Sequence, residues 1–224
     1  MSTTNTHNNN IPIIGGGIFL AKDVSKILNL PYSKVRHWLF ELWDKRFANN
    51  WNYSFGEDGN KAIDFHTLIE FYIFYQLRER GVSSQQIQKV HKELSKDFGT
   101  KYPFAHAKFS TDGKEVWYEK LGALVKANGK KQIDIKPIIQ PFLKKIEFGA
   151  NNVAERYFPL SKTKSIVIDP KHQFGQPTIF GTNIKTQSIF SLYKGGESKT
   201  TISDLYNISL KKVSDAIEFH KTAA

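Results

Sequence analysis

Residues 19–43 read FLAKDVSKILNLPYSKVRHWLFELW, and their periodicity decides how the N-terminal half folds. Ala21, Val24, Ile27 and Leu28 fall on one face of a helix, with Lys22, Asp23, Ser25 and Lys26 turned away from it. Asn29-Leu30-Pro31 ends that helix, because a proline disfavours helical geometry in the residue before it. A second amphipathic run starts at once, with Val35, Leu39 and Leu42 spaced to face inward. Tyr32, Ser33, Lys34, Arg36 and His37 occupy its first turns and are free to face outward. Two short helices around a tight turn, the second offering basic and polar groups from its start, have the shape that enters a major groove.

The signals continue in order downstream. Asn52–Ile63 has β-prone flanks around the turn residues Gly56-Glu57-Asp58-Gly59-Asn60. Asp64 is placed to cap a helix from Phe65, with Leu68, Phe71, Phe74 and Leu77 as its buried stripe. Ser83 can cap the next, with Ile87, Val90 and Leu94 facing in. This succession resembles the MerR-type winged helix. The resemblance rests on Arg36-His37-Trp38, on Lys61 where that family commonly has a wing arginine, and on Leu77-Arg78-Glu79-Arg80-Gly81-Val82-Ser83 at the helix end and restart. Two features depart from the family. The second helix opens on Pro31-Tyr32 rather than Ser-Pro, and the following helix stops by Phe98-Gly99 with no cysteine-bearing ligand segment after it.

Residues 166–184, IVIDPKHQFGQPTIFGTNI, are a second anchor. Pro170 and Pro177 fix φ and remove donors, and two β-rich runs flank the Gly-punctuated centre. Three short helices are expected after this hairpin. The first covers Gln187–Tyr193 and ends at Gly195-Gly196. The second is capped by Ser198 and buries Ile202 and Leu205. The third is capped by Ser209 and buries Leu210, Val213, Ala216 and Ile217, with Lys211 and Lys212 in its exposed first turn. Hairpin and helices together resemble a small antitoxin-associated domain of originally unknown function. The two halves combined resemble the two-domain VapB-type antitoxins. That resemblance implies a PIN-like ribonuclease toxin as partner and repression of the protein's own operon.

The chain of 224 residues has no cysteine, a net charge of +11 and a pI near 9.6, which favours a polyanionic partner. The excess is spread, at +2 over residues 1–100, +5 over 101–160 and +4 over 161–224, so charge alone does not place an interface. No phosphate-binding glycine loop is present, the histidines are scattered, and Asp64, Asp134 and Asp169 look like caps or turn residues. Catalysis is therefore set aside, and no cofactor or metal is expected. Gly15-Gly16-Gly17 reads as a flexible leader. Between the two halves, Glu115–Tyr118 looks like a strand and Asn128-Gly129 like a hairpin turn. Residues 138–148, IIQPFLKKIEF, look like a short helix kinked or restarted at Pro141.

The expected fold is mainly α with small β elements. It comprises a polar tail (1–17), a winged helix-turn-helix (18–99), a β-hairpin-containing middle (100–159) and a C-terminal hairpin with three helices (160–224). The expected contacts to operator DNA are Tyr32, Ser33, Lys34, Arg36, His37, Lys61, Lys211 and Lys212. A homodimer in the cytoplasm, bound to DNA and to a toxin, is the leading expectation. A stand-alone regulator responding to a small ligand is the alternative.

Overall fold

A computed structural model of the chain describes residues 12–47, 52–57, 59–106 and 136–222. The N-terminal half contains α1 (Ala21–Leu28), α2 (Tyr32–His37), a π-helical turn (Trp38–Leu42), α3 (Trp43–Arg46), α4 (Phe65–Glu79) and α5 (Ser84–Phe98). Apolar residues take nine of the fifteen positions of α4 and fall on more than one side of it, so no single amphipathic face could hide them. Its expected stripe of Leu68, Phe71, Phe74 and Leu77 is buried, but so are Phe65, Ile69, Tyr72 and Ile73. The helix is surrounded rather than laid on a surface. Trp38 and Trp43 pack edge-on against Phe74 at 5.2 and 5.3 Å between ring centres, and Phe47 stacks on Trp43 at 4.3 Å. The π-helical turn lets both indoles reach this core. Trp43 N donates to Trp38 O across five residues, and the wider turn rotates the second indole onto the same face as the first.

Both helix caps follow their sequence signals. Asp64 accepts from Thr67 N at 2.7 Å, and Ser83 forms a reciprocal capping box with Gln86. Strands β1 (Phe19–Leu20), β2 (Ser54–Phe55) and β3 (Ala62–Ile63) make an antiparallel sheet in the order β1-β3-β2. The expected hairpin is β2 and β3, while β1, paired through Phe19 to Ile63, is an addition. Gly56 turns the hairpin at φ +91, where a Cβ would meet the Asn60 carbonyl oxygen at 2.7 Å.

The middle differs from its sequence reading. Helix α6 (Lys136–Leu143) holds Pro141, and the chain then leaves the helix to form β4 (Ile146–Phe148) against β5 (Ala154–Tyr157). Ile146–Phe148 therefore belongs to a sheet and not to a kinked helix. Proline removes one helical bond, and the turn closed by Lys145 N on Phe142 O brings Ile146 into the core opposite Tyr157. The strand expected at Glu115–Tyr118 and the turn at Asn128-Gly129 lie outside the described residues.

The C-terminal module contains β6 (Ile166–Val167) and β7 (Thr178–Ile179), then α7 (Thr186–Lys194), α8 (Lys199–Tyr206) and α9 (Leu210–Thr222). All three helices stand where their caps and spacing place them, and Ser198 Oγ accepts from Thr201 N at 3.0 Å. Leu205 and Leu210, expected inside, are exposed instead at 66% and 50%. The fold is thus mainly helical with small antiparallel sheets. Its halves share one core. Tyr157 bridges to Ile168, Ile18 N donates to Phe174 O, and a Cβ on Gly175 (φ +84) would collide with the Phe19 ring. The glycine leader is anchored as well, since Phe65 N donates to Gly16 O at 2.9 Å.

Candidate nucleic-acid interface

Helix α1 buries Ala21, Val24, Ile27 and Leu28 and ends at Asn29, which adopts the left-handed conformation at φ 52. That residue turns the chain while Leu30 N donates to Ser25 O (2.9 Å) and Ser25 Oγ donates to Leu30 O (2.5 Å). Pro31 opens α2 without a side-chain cap, a position where its missing donor costs nothing. Val35 anchors α2 to the core, and Tyr32, Ser33, Lys34, Arg36 and His37 are all exposed.

The sheet comes to this helix through one ring. Arg36 lies over Phe40 at 5.5 Å and Lys61, leading into β3, lies over the same ring at 5.6 Å. Lys61 is also held 3.8 Å from Asp44, whose carboxylate accepts Tyr53 N at 2.9 Å and the Ser54 hydroxyl. Asp44 thereby staples β2 to α3 and orients the lysine. Lys34 lies over Tyr75 and 3.9 Å from Glu79. Beside these groups runs a cleft of about 670 Å³ lined by Lys34, His37, Lys45, Arg46, Arg78 and Glu79 among others. Lys45 pairs with Glu41 and holds that carboxyl below its usual range, first through the hydrogen bond and then through charge. Sequence reasoning missed Lys45, Arg46 and Arg78, because their approach to α2 depends on how α3 and α4 cross.

Lys211 and Lys212 stand apart from this face. Lys211 Nζ donates to Thr163 O at 3.0 Å and to Asp215 at 2.8 Å, and Lys212 Nζ reaches Phe180 O at 3.4 Å. Asp215, almost fully buried, also accepts Ser165 N and lies 3.4 Å from Lys164. Lys211 is exposed while making these bonds, and the two lysines tie α9 to the segments at Thr163 and Phe180.

The pair α8–α9 nevertheless repeats the turn of α1–α2. Asn207 takes the left-handed conformation at φ 50, Ile208 N donates to Ser203 O at 3.1 Å, and Ser203 Oγ donates to Ile208 O at 2.5 Å. Ser25, Asn29, Lys34 and Val35 thus recur as Ser203, Asn207, Lys212 and Val213. The outward positions do not recur. Where α2 exposes Arg36 and His37, α9 has half-buried Ser214 and buried Asp215. One turn is used twice; the first copy follows its lysine with outward Arg36 and His37, and the second has exposed Lys211 ahead of Lys212.

Among the described residues, no helix is long and apolar enough to cross a membrane. Residues 166–220 match the family described as "Protein of unknown function (DUF433)". The chain is 24% identical over 171 residues to the protein named "Putative antitoxin VapB45" of Mycobacterium tuberculosis, covering 70% of each. It is 23% identical over 223 residues to "Uncharacterized protein Rv2308" of the same organism, covering 91% of this chain and 90% of that protein. The crystal structure of Rv2018, also from that organism, superposes with a TM-score of 0.69 at 19% identity, over 89% of this chain and 96% of that one, which establishes a shared fold.

Proposed function

We propose that this protein is an antitoxin that binds a cognate toxin and represses its own operon through a winged helix-turn-helix of the MerR type. The observation that carries the DNA-binding reading is the exposed start of α2, joined through Phe40 to Lys61 of the wing. Ser33, Lys34, Arg36 and His37 would read or grip the groove, with Tyr32 beside them and Lys61 reaching the adjoining backbone. One short recognition helix spans few base pairs, so the functional species is a homodimer on a two-fold site. The antitoxin half of the proposal is supported by the name given to a relative at 24% identity and by the match of residues 166–220. Its partner would be a PIN-like ribonuclease, covered at its acidic cleft. Leu205 and Leu210 offer apolar area on the C-terminal module for that contact.

The DNA test is Arg36→Ala, measured by fluorescence anisotropy on the region upstream of the protein's own gene. A base contact predicts a loss of about 1–3 kcal/mol on that sequence and relaxed specificity. Equal affinity of parent and variant for specific and random DNA would remove Arg36 from the interface. For the toxin, co-purification with the product of the adjacent gene is expected. A neighbour that is not toxic when expressed alone would count against the antitoxin reading and favour a stand-alone regulator.

A further inference from the structure

The loop before β7 holds three consecutive residues at positive φ: Gln173 at 50, Phe174 at 55 and Gly175 at 84. Glycine adopts that conformation freely, whereas a bulky side chain there is strained. Three backbone bonds hold the loop in it. Gly175 N donates to His172 O at 2.9 Å, Gln176 N to Gln173 O at 3.0 Å and Ile18 N to Phe174 O at 3.0 Å. The ring gains little from the fold in return, since Phe174 is 73% exposed. A strained turn that delivers an aromatic ring to solvent costs stability twice, and such outliers gather at functional surfaces.

The bond from Ile18 N sets Phe174 beside the N-terminal segment. Phe19 is fully buried, so Ile18 and Leu20 on either side of it face the opposite way, and both are exposed. Ile13 and Ile14, in the turn closed by Gly16 N on Ile13 O, are more exposed still. At these exposures the five residues present on the order of 700 Å², close to the ~800 Å² that each partner contributes to an interface of ordinary size. Neither residues 12–21 nor residues 173–184 contain a charged side chain, in a chain of net charge +11. The exposed leucines of the C-terminal module are flanked differently, Leu205 by Asp204 and Leu210 by Lys211. Two copies of so basic a chain repel one another across any cationic face, and this charge-free one lets them meet. Leu20 N is already engaged by Asp23 and Ile18 N by Phe174 O, so strand addition is blocked and side chains must supply the contact.

We propose that Phe174, with Ile13, Ile14, Ile18 and Leu20, is the self-association surface of this protein, and that its occupant is the same surface of a second copy. Phe174 is the anchor, and the strain in its backbone is the cost of presenting the ring. The assignment rests on the homodimer put forward above and gives that dimer an interface. None of its residues belongs to the DNA-binding face.

The test is sedimentation equilibrium of the full chain without DNA, over a range of protein concentrations and from low to high NaCl. A dimer is expected, and salt should leave it intact or tighten it, because screening weakens only the repulsion between the copies. Phe174→Asn removes the ring and keeps a residue that tolerates positive φ. It should raise the dimer Kd about thirtyfold or more, as loss of a central aromatic does. Leu20→Asn, which puts a favoured N-cap residue at the start of α1, should raise it as well. Below the parent's dimer Kd, Phe174→Asn should unfold in urea at no lower midpoint than the parent, because strain is removed and little packing is lost. A parent that stays monomeric would sink the homodimer together with the assignment. A dimer unmoved by both variants would leave the homodimer standing and overturn the surface. Dissociation on raising salt would place charged groups at the contact, and a destabilised Phe174→Asn monomer would make the ring a packing residue; either result overturns the assignment.

Discussion

Two buried histidines sit in different surroundings. His91 Nε2 lies 3.0 Å from Glu70 Oε2 deep in the core, while the other Glu70 oxygen accepts Phe104 N at 2.8 Å and Ala105 N at 3.0 Å. Burial raises the Glu70 pKa, and His91 and the two amides pull it back only in part. Glu70→Ala would strand both amides and the imidazole, so a loss of about 3–5 kcal/mol is expected in urea unfolding. A loss under about 1 kcal/mol would show that water replaces the carboxylate. His220 is held neutral, with its pKa at about 4 rather than 6.5. The unfolded chain takes up that proton near pH 6.5 and the folded one only near pH 4. Folding stability therefore falls as pH is lowered through this window and is fully present above it. Tm measured from pH 7.5 to 4 should decline more steeply in the parent than in His220→Gln; parallel curves would refute the assignment.

At the level of elements, the repeated turn gives a paired prediction. Asn29 and Asn207 both hold positive φ, where a β-carbon crowds the following carbonyl. Asn29→Ala and Asn207→Ala should each cost about 1–2 kcal/mol, and the glycine variants should be close to neutral. Thermal melts of the four proteins would check it, and an alanine variant as stable as its glycine counterpart would contradict it. The capped helices were legible in sequence because Asp64, Ser83 and Ser198 act within three residues of themselves. Strands β1, β4 and β5 were not, since two to four residues carry too little alternation to register. Nor was the π-helical turn, which depends on Trp38 and Trp43 competing for the same core. Leu205 and Leu210 were misplaced because helical spacing marks an apolar face without saying whether anything covers it. On the candidate interface, Arg36 and its neighbours were readable from the start of α2. The Lys211–Asp215 contact is an i,i+4 pair within α9, whereas the bond from Lys211 to Thr163 O was hidden, because it requires α9 to be packed against that loop.

The whole molecule is expected to unfold as one body. Trp38 and Trp43 lie in the core of the N-terminal half and no tryptophan follows residue 117, so indole fluorescence does not arise from the C-terminal module, while circular dichroism reads helices from both halves. Coincident transitions by the two probes are expected; a resolved second step by dichroism alone would show that the C-terminal module melts independently. The shared core also dictates how function should be dissected. Removing residues 160–224 would uncover Phe19, so point variants on the surface are the cleaner instrument. The contact of Gly175 with Phe19 extends this logic to evolution and to engineering. A module transplanted onto a different N-terminal partner would arrive with a glycine-floored socket and no aromatic plug to fill it. Exchange of halves between relatives should therefore succeed only when the ring and its receptacle travel together.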